Sequence, residues 1–185
     1  MQQRFTWKEE VLKEALKKVF VIIVLFTAWG CATTPRAPLS ETGEKIEIHV
    51  LSHRGDAQEL TERQYKHRNE VGSWMEKDLL NMLRRAGYEP RLISGWNDFN
   101  YRPGRYLLEV WIDNYHAGSS AARMTVGYGA GAASLENSYA LYGEKKDPLL
   151  TWSDGVGTSQ HWTRLPRRLN QNTVQRLTKY LSTNK

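Results

Sequence analysis

The histidines and hydroxyl side chains of this sequence are spaced in ways that favour neither a metal centre nor a catalytic triad. His49 and His53 stand four residues apart in a segment with strand-like alternation. A rise of about 3.3 Å per residue separates them there by about 13 Å, which is too far for both to bind one ion. Ser159 lies near His161 but lacks the G-x-S-x-G pattern of a nucleophile elbow. The sequence therefore predicts no metal site and no catalytic residue.

The carboxylates leave one enzymatic alternative open. Glu109 and Asp113 fall on one face of the strongest predicted strand, two pleats apart. Only strong convergence of their side chains would give the separation found in glycoside hydrolase pairs. We expect both carboxylates to face water. A glycan hydrolase is thus an alternative, whereas the sequence favours a protein that is not an enzyme.

Three aromatic residues are the best candidates for contact with a partner or ligand. Trp96, Phe99 and Tyr101 lie in the aperiodic, turn-rich segment 95–104, which also contains Arg102. Aromatic faces beside basic side chains suit sugars or anionic groups, and each cation–π pair contributes about 0.5–2 kcal/mol. The alternative is that these rings cover the sheet with their flat faces and keep their polar tips in water.

The only cysteine, Cys31, lies directly after an apolar segment. A single cysteine excludes a disulfide within the chain and a metal site built from several cysteines. The apolar run at residues 19–29 has the size of a signal-peptide core, because crossing a bilayer takes about 20 apolar residues. With Ala28 and Gly30 before it, Cys31 resembles a bacterial lipobox cysteine, which implies a signal peptide at 1–30 and acyl chains on the thiol. A buried helix beside a structural cysteine is the alternative.

The segment that follows Cys31 is predicted to be a tether. Residues 31–45 contain two prolines and no apolar periodicity, which favours an extended chain over a helix. Two or more acyl chains hold a protein stably, since each buried methylene contributes about 0.8 kcal/mol. Ala32 follows the cysteine where Asp would mark retention in the inner membrane, so resemblance to Gram-negative sorting implies the outer membrane. Removing residues 1–30 takes away five basic and three acidic side chains and lowers the formal charge from +6 to +4.

The rest of the chain, residues 46–185, predicts one α+β domain. Alternating apolar residues predict strands, and apolar residues three and four apart predict helices. The predicted strands lie near 46–51, 88–93, 106–113, 135–142 and 149–153, and the predicted helices at about 62–86, ended by Gly87, and from about Pro166 onwards. This order favours a two-layer sandwich, with a mostly antiparallel sheet and two helices on one face. A length of 185 residues with 11% aromatic residues fits one packed domain and excludes a disordered chain.

A glycine-rich segment carries a resemblance to a known family. Residues 118–133 combine a turn of small residues, Arg123, an apolar pair and the run Gly127-Tyr128-Gly129-Ala130-Gly131 before a strand. Over roughly residues 106–152 the chain resembles the bacterial family named domain of unknown function 4410. The resemblance implies that the chain has the fold of that family and that it is a lipoprotein, because many members are predicted to be lipoproteins. It implies no activity.

The three glycines Gly127, Gly129 and Gly131 allow two interpretations. They fit part of the dinucleotide-binding pattern G-x-G-x-x-A, but a strand follows them where a helix N-terminus is required, so no cofactor is predicted. Either they permit a bend or a close backbone approach, or they line a contact site for a partner.

Together these features predict an outer-membrane lipoprotein that acts as a non-catalytic interaction or structural module in the periplasm. We expect contact with the membrane through acyl chains on Cys31 and an envelope protein as partner, without a small-molecule substrate. Nucleic-acid binding is not expected, because the basic residues form short separate clusters in an exported chain. An accessory subunit of an envelope transport or export system is the alternative among non-enzymatic functions.

Overall fold

The computed structural model describes residues 36–55, 60–118 and 131–184. The predicted signal peptide, Cys31, Gly127 and Gly129 lie outside the described residues. In chain order the elements are strand β1 (Glu47–His53), helix α1 (Glu62–Ala86), strand β2 (Glu89–Ile93), a 3-10 turn (Trp96–Asp98), strands β3 (Arg105–His116), β4 (Ala133–Tyr142) and β5 (Leu150–Thr158), and helix α2 (Arg164–Thr183). Every predicted strand and helix is therefore present. Strand β5 continues five residues beyond its predicted end, because Gly155 and Gly157 interrupt the apolar alternation without ending the strand.

The five strands form one sheet in the order β2-β1-β3-β4-β5. Strand β1 runs parallel to β2 and to β3, since α1 carries the chain back across the sheet between β1 and β2. The pairs β3–β4 and β4–β5 are antiparallel and involve the three longest strands. Most paired positions are thus antiparallel, and the predicted α+β sandwich is confirmed, with two parallel pairs at the β2 side.

Local sequence explains where α1 begins and ends. The Thr61 hydroxyl accepts a hydrogen bond from the Gln64 backbone N–H, and the Gln64 side chain accepts one from the Thr61 backbone N–H at 2.9 Å. These two bonds satisfy donors that a helix start leaves free. Gly87 ends the helix in the left-handed region with φ of +103°, which favours glycine, as predicted.

Two apolar clusters lie on opposite faces of the sheet. The larger one packs both helices against one face, and its members include Ile48, Val71, Leu79, Val110, Leu135, Leu169 and Leu177, all essentially inaccessible to water. The smaller cluster on the other face consists of Leu51, Ile93 and Leu107, with Phe99 and Tyr142 packed against it. No helix of the described residues covers this second face, so loops must shield it.

Residues assigned to the tether contact the domain. The Ala37 backbone N–H donates to the Ala86 carbonyl oxygen at 2.7 Å, and Lys45 Nζ lies 3.8 Å from the Glu89 carboxylate. The isolated bridge between Leu39 and Lys45 lies within the segment itself. Part of the segment assigned to the tether thus lies against the domain. Among the described residues, neither helix combines the length and apolar character that a membrane span requires.

Candidate binding groove

The face of the sheet opposite the helices carries a groove, called here the sheet-face groove. It lies over β3, between the loop at 95–104 and the connection between β4 and β5, and has a volume of about 500 Å³. Four aromatic residues, two carboxylates and two lysines dominate its lining: Trp96, Phe99, Tyr101, Tyr142, Glu109, Glu144, Lys145 and Lys146. Grooves of this size, lined by aromatic rings with a few polar groups, are typical of binding sites.

Hydrogen bonds hold the aromatic loop in place. The Asp98 carboxylate accepts from the backbone N–H groups of Ser94 and Gly95, at 3.1 and 3.2 Å. At the other end of the loop, the Arg105 guanidinium donates to the carbonyl oxygen of Asn100 at 2.8 Å. The loop therefore presents its rings from a fixed backbone, although it contains only a single 3-10 turn.

The aromatic side chains serve both as packing and as open surface. Phe99 packs against the smaller apolar cluster, while Trp96 meets Tyr142 edge-on, with ring centroids 4.7 Å apart. Trp96 also lies edge-on to Phe99, yet 37% of its surface is exposed. The two interpretations of the loop are therefore compatible, because one ring covers the sheet and its neighbour stays open to the groove.

Glu109 contradicts the expectation that its carboxylate faces water. It is only 4% exposed, and its Oε1 atom accepts hydrogen bonds from Trp96 Nε1 at 2.7 Å and His53 Nε2 at 3.1 Å. The expectation was wrong because the indole of Trp96 folds across the strand, which alternation within β3 does not reveal. Asp113 is exposed as expected, and accepts a hydrogen bond from the Ser138 hydroxyl at 2.6 Å.

A second carboxylate, Glu47, organises the sheet beside the groove. Arg105 Nε lies 2.7 Å from its Oε2 atom, and Arg102 also bonds it. Burial acts to raise the pKa of Glu47, but the hydrogen bonds and charges of Arg105 and Arg102 outweigh it and lower that pKa. The pKa of the neighbouring His49 is lowered by burial and by Arg105. At neutral pH these directions favour a neutral His49 next to an ionised Glu47.

This arrangement is suited to binding more than to acid–base chemistry. Glu109 already accepts two hydrogen bonds on one oxygen, which fixes it as a structural acceptor beneath the rings. Tyr142, whose pKa is raised by burial and by the adjacent Glu109, holds its proton. Within the described ranges, no three His, Cys, Asp or Glu side chains lie close enough together to share a metal ion.

The structure brings together three of the predicted contact residues and separates another. Trp96, Phe99 and Tyr101 share the sheet-face groove, whereas Gly131 lies before the first residue of β4, at the strand end remote from Tyr142. Gly131 has φ of +68°, which agrees with the bend interpretation for that glycine. Sequence reasoning missed Tyr142, although its place as the last residue of an alternating strand could have indicated it.

Comparisons with known proteins give a family and distant structural likenesses. A family profile described as "Domain of unknown function (DUF4410)" matches residues 42–162. A single-substitution variant of the PelC dodecamer from Paraburkholderia phytofirmans is similar with a TM-score of 0.46 and 9% identity, covering 79% of this chain and 94% of that one. A protein described as a neuraminyllactose-binding hemagglutinin homologue, from Helicobacter pylori, is similar with a TM-score of 0.43 and 8% identity, covering 83% and 94%. No curated protein matches the chain significantly.

Proposed function

Since the chain belongs to the family described as a domain of unknown function (DUF4410), which supplies no activity, we propose a function from its own residues. The protein is an outer-membrane lipoprotein, anchored on the periplasmic side by acyl chains on Cys31. Its α+β domain is a non-catalytic binding module that contacts another envelope component through the sheet-face groove.

The observation that carries this proposal is that the buried carboxylate of Glu109 is bonded to Trp96 and His53. A carboxylate that acts as general acid or base must reach a substrate proton, whereas the Oε1 atom of Glu109 accepts bonds from Trp96 and His53 beneath the rings. The bond from its Nε1 atom keeps the indole of Trp96 in one orientation, with part of its surface open. A fixed, partly exposed aromatic surface loses little side-chain entropy on binding, which suits recognition.

The anchor is tested with a Cys31→Ala variant. The wild-type protein should incorporate radioactive palmitate and lose residues 1–30, and the variant should do neither. Palmitate labelling that persists in the variant would reject the anchor while leaving the groove proposal standing.

The groove is tested by site-specific photocrosslinking in cells. A photoreactive amino acid at position 101, inside the groove, should give one discrete adduct with an envelope component. The matched control places the same amino acid at Tyr65, which is 46% exposed on α1. Equal adducts from both positions, or none from position 101, would contradict the groove as the contact surface. Recovery of one stoichiometric membrane complex with the adduct would assign the module to an envelope transport or export system.

A glycan hydrolase is a second candidate because Glu109 lies within an aromatic groove. Hydrolysis requires a second carboxylate roughly 5–10 Å away, and Glu144 is the other carboxylate that lines the groove. Release of soluble fragments from peptidoglycan by the purified protein, lost in Glu109→Gln and in Glu144→Gln, would establish this activity. Equal release by the two variants and the wild type would reject it.

A further inference from the structure

The outer edge of β5 is unpaired within the described residues. Strand β5 is the last strand of the sheet order, and among residues 36–55, 60–118 and 131–184 it pairs only with β4. It has nine residues and contains no proline, so it offers a row of backbone donors and acceptors over about 30 Å. One of these donors, the N–H of Gly155, already binds the Asp154 side chain at 2.9 Å.

The opposite edge of the sheet is protected in a way that β5 is not. Strand β2 has only five residues and carries Pro90, which removes one backbone donor. Short edge strands and prolines are common devices against unwanted pairing. The contrast makes β5 the edge at which a further strand can add.

A basic helix runs alongside this edge. Helix α2 also spans about 30 Å and contains five basic and no acidic residues. Its first turns meet the end of β5 in a groove lined by Val156, Gly157, Arg164 and Arg168. Its last turns meet the start of β5 in a second groove, lined by Leu150, Arg176 and Lys179. Helix and strand therefore run antiparallel along one continuous margin, called here the basic edge.

Most of this positive charge is not neutralised within the described residues. Arg167 lies 3.9 Å from Asp78, and Arg176 lies over the ring of Trp152. No ion pair to an acidic side chain of the described residues is found for Arg164 or Arg168. The acidic residue in the lining, Asp154, is held by Asn172 at 2.7 Å.

We propose that the basic edge binds an extended acidic segment of a partner protein, which adds to the sheet as a sixth strand beside β5. Backbone hydrogen bonds to β5 supply the alignment, and acidic side chains of the segment meet the arginines of α2. This site is separate from the sheet-face groove and does not depend on the anchor at Cys31.

An acidic segment fits better than a second copy of this chain. Pairing of two β5 edges would place two basic helices side by side, and like charges at an interface oppose association. Nucleic acid would satisfy the charges but would leave the backbone groups of β5 unpaired. Of these three partners, only an acidic chain in extended conformation would use both the basic helix and the strand edge that the described part of the chain leaves unpaired.

The test uses the full-length protein in a non-ionic detergent and fluorescent ten-residue peptides. The probe alternates Glu with Val, and its control carries Lys in place of Glu. We expect the Glu peptide to bind and the Lys peptide not to bind. Methylating the backbone nitrogens on one edge of the Glu peptide should abolish binding, while methylating those on the other edge should leave it unchanged, because only one edge pairs with β5.

Charge-reversal variants locate the site. The double variant Arg164→Glu with Arg168→Glu should weaken binding of the Glu peptide about tenfold or more, since two attractions become repulsions. The matched control is Arg63→Glu, which makes the same change in the exposed first turn of α1. It should leave the affinity within about twofold.

Several outcomes would overturn the proposal. If methylation of neither edge of the Glu peptide weakens its binding, the interaction is nonspecific charge attraction and not strand addition. A single-stranded oligonucleotide that binds more tightly than the Glu peptide, and displaces it, would assign the surface to nucleic acid. A dimer seen by light scattering that the Arg164→Glu change strengthens would assign the edge to a second copy.

Discussion

The neighbouring side chains of Glu47 and His49 make the stability of the domain depend on pH. Both pKa values are lowered in the folded state, that of His49 from 6.5 and that of Glu47 from 4.5. As the pH falls below 6.5, the unfolded chain takes up a proton at His49 before the folded chain does, and the same follows at Glu47 below 4.5. Each step favours unfolding, so both contributions are present above these values and are lost on acidification.

We therefore expect the free energy of unfolding to fall in two stages as the solution is acidified. His49→Gln should flatten the decline that begins near pH 6.5, and Glu47→Gln should flatten the one below 4.5. Urea denaturation at about pH 7.5, 5.5 and 4 measures each stage. A wild-type protein whose stability rises between the first two values would contradict the lowered pKa of His49.

The bond between Trp96 Nε1 and Glu109 should appear as a coupling energy. Trp96→Phe removes the N–H donor and leaves a buried carboxylate oxygen with one partner fewer, which costs about 1–3 kcal/mol. In a Glu109→Gln background the same change should cost less, because the acceptor is no longer charged. A double-mutant cycle by urea denaturation gives the difference, which we expect to exceed about 0.5 kcal/mol. Additive effects would show that the indole packs without this bond contributing.

At the level of elements, the close contact between the backbone after β3 and the backbone before β4 depends on Gly118. Gly118 has φ of +76°, and a Cβ atom there would lie 2.5 Å from the carbonyl oxygen of Gly131. Gly118→Ala should therefore destabilise the domain by roughly 1–3 kcal/mol, through backbone strain and through the clash. Gly95→Ala is the matched control, since that backbone is extended and no atom lies within 4 Å of the new Cβ. Thermal unfolding of the two variants compares them, and equal melting temperatures would contradict the close approach.

The charge distribution of α2 predicts that Arg164→Glu, which is part of the variant proposed to weaken peptide binding at the basic edge, increases the stability of the folded domain. Arg164 is the first residue of the helix, where a positive side chain opposes the helix dipole. Arg164→Glu should therefore stabilise the folded domain by about 0.3–1 kcal/mol at low salt, with the gain reduced at high salt. Thermal unfolding at two salt concentrations checks this. A loss of stability would indicate that Arg164 makes a structural contact.

The helices and strands were predictable from sequence where a single local pattern of apolar residues is clear. The apolar stripe of α1, followed by Gly87, specifies a helix with a defined end. The alternation of apolar residues in β3 specifies a strand. The floor of the sheet-face groove was not predictable in the same way. Burial of Glu109 depends on Trp96, thirteen residues earlier, folding over a neighbouring strand, and no local pattern encodes such a contact.

For the whole molecule, every buried apolar residue of the described chain lies between Ile46 and Leu181. The hydrogen bond from Ala37 to Ala86 attaches a short N-terminal margin, residues 36–45, to that core, and the bridge between Leu39 and Lys45 lies within this margin. Because residues 1–30 are proposed to be cleaved as a signal peptide, we expect the domain to keep its stability without its first 35 residues and to lose part of it when the margin is removed.

Two truncations separate these contributions. A fragment of residues 36–185 should unfold within about 1 °C of the full-length Cys31→Ala chain. A fragment of residues 46–185 loses the hydrogen bond between Ala37 and Ala86, and we expect its melting temperature to fall by about 2–4 °C for each kcal/mol lost. Calorimetry in the same detergent compares all three. Equal stability of the two fragments would show that the margin adds nothing, whereas a much lower melting temperature of the longer fragment would mean that residues before 36 take part in the fold.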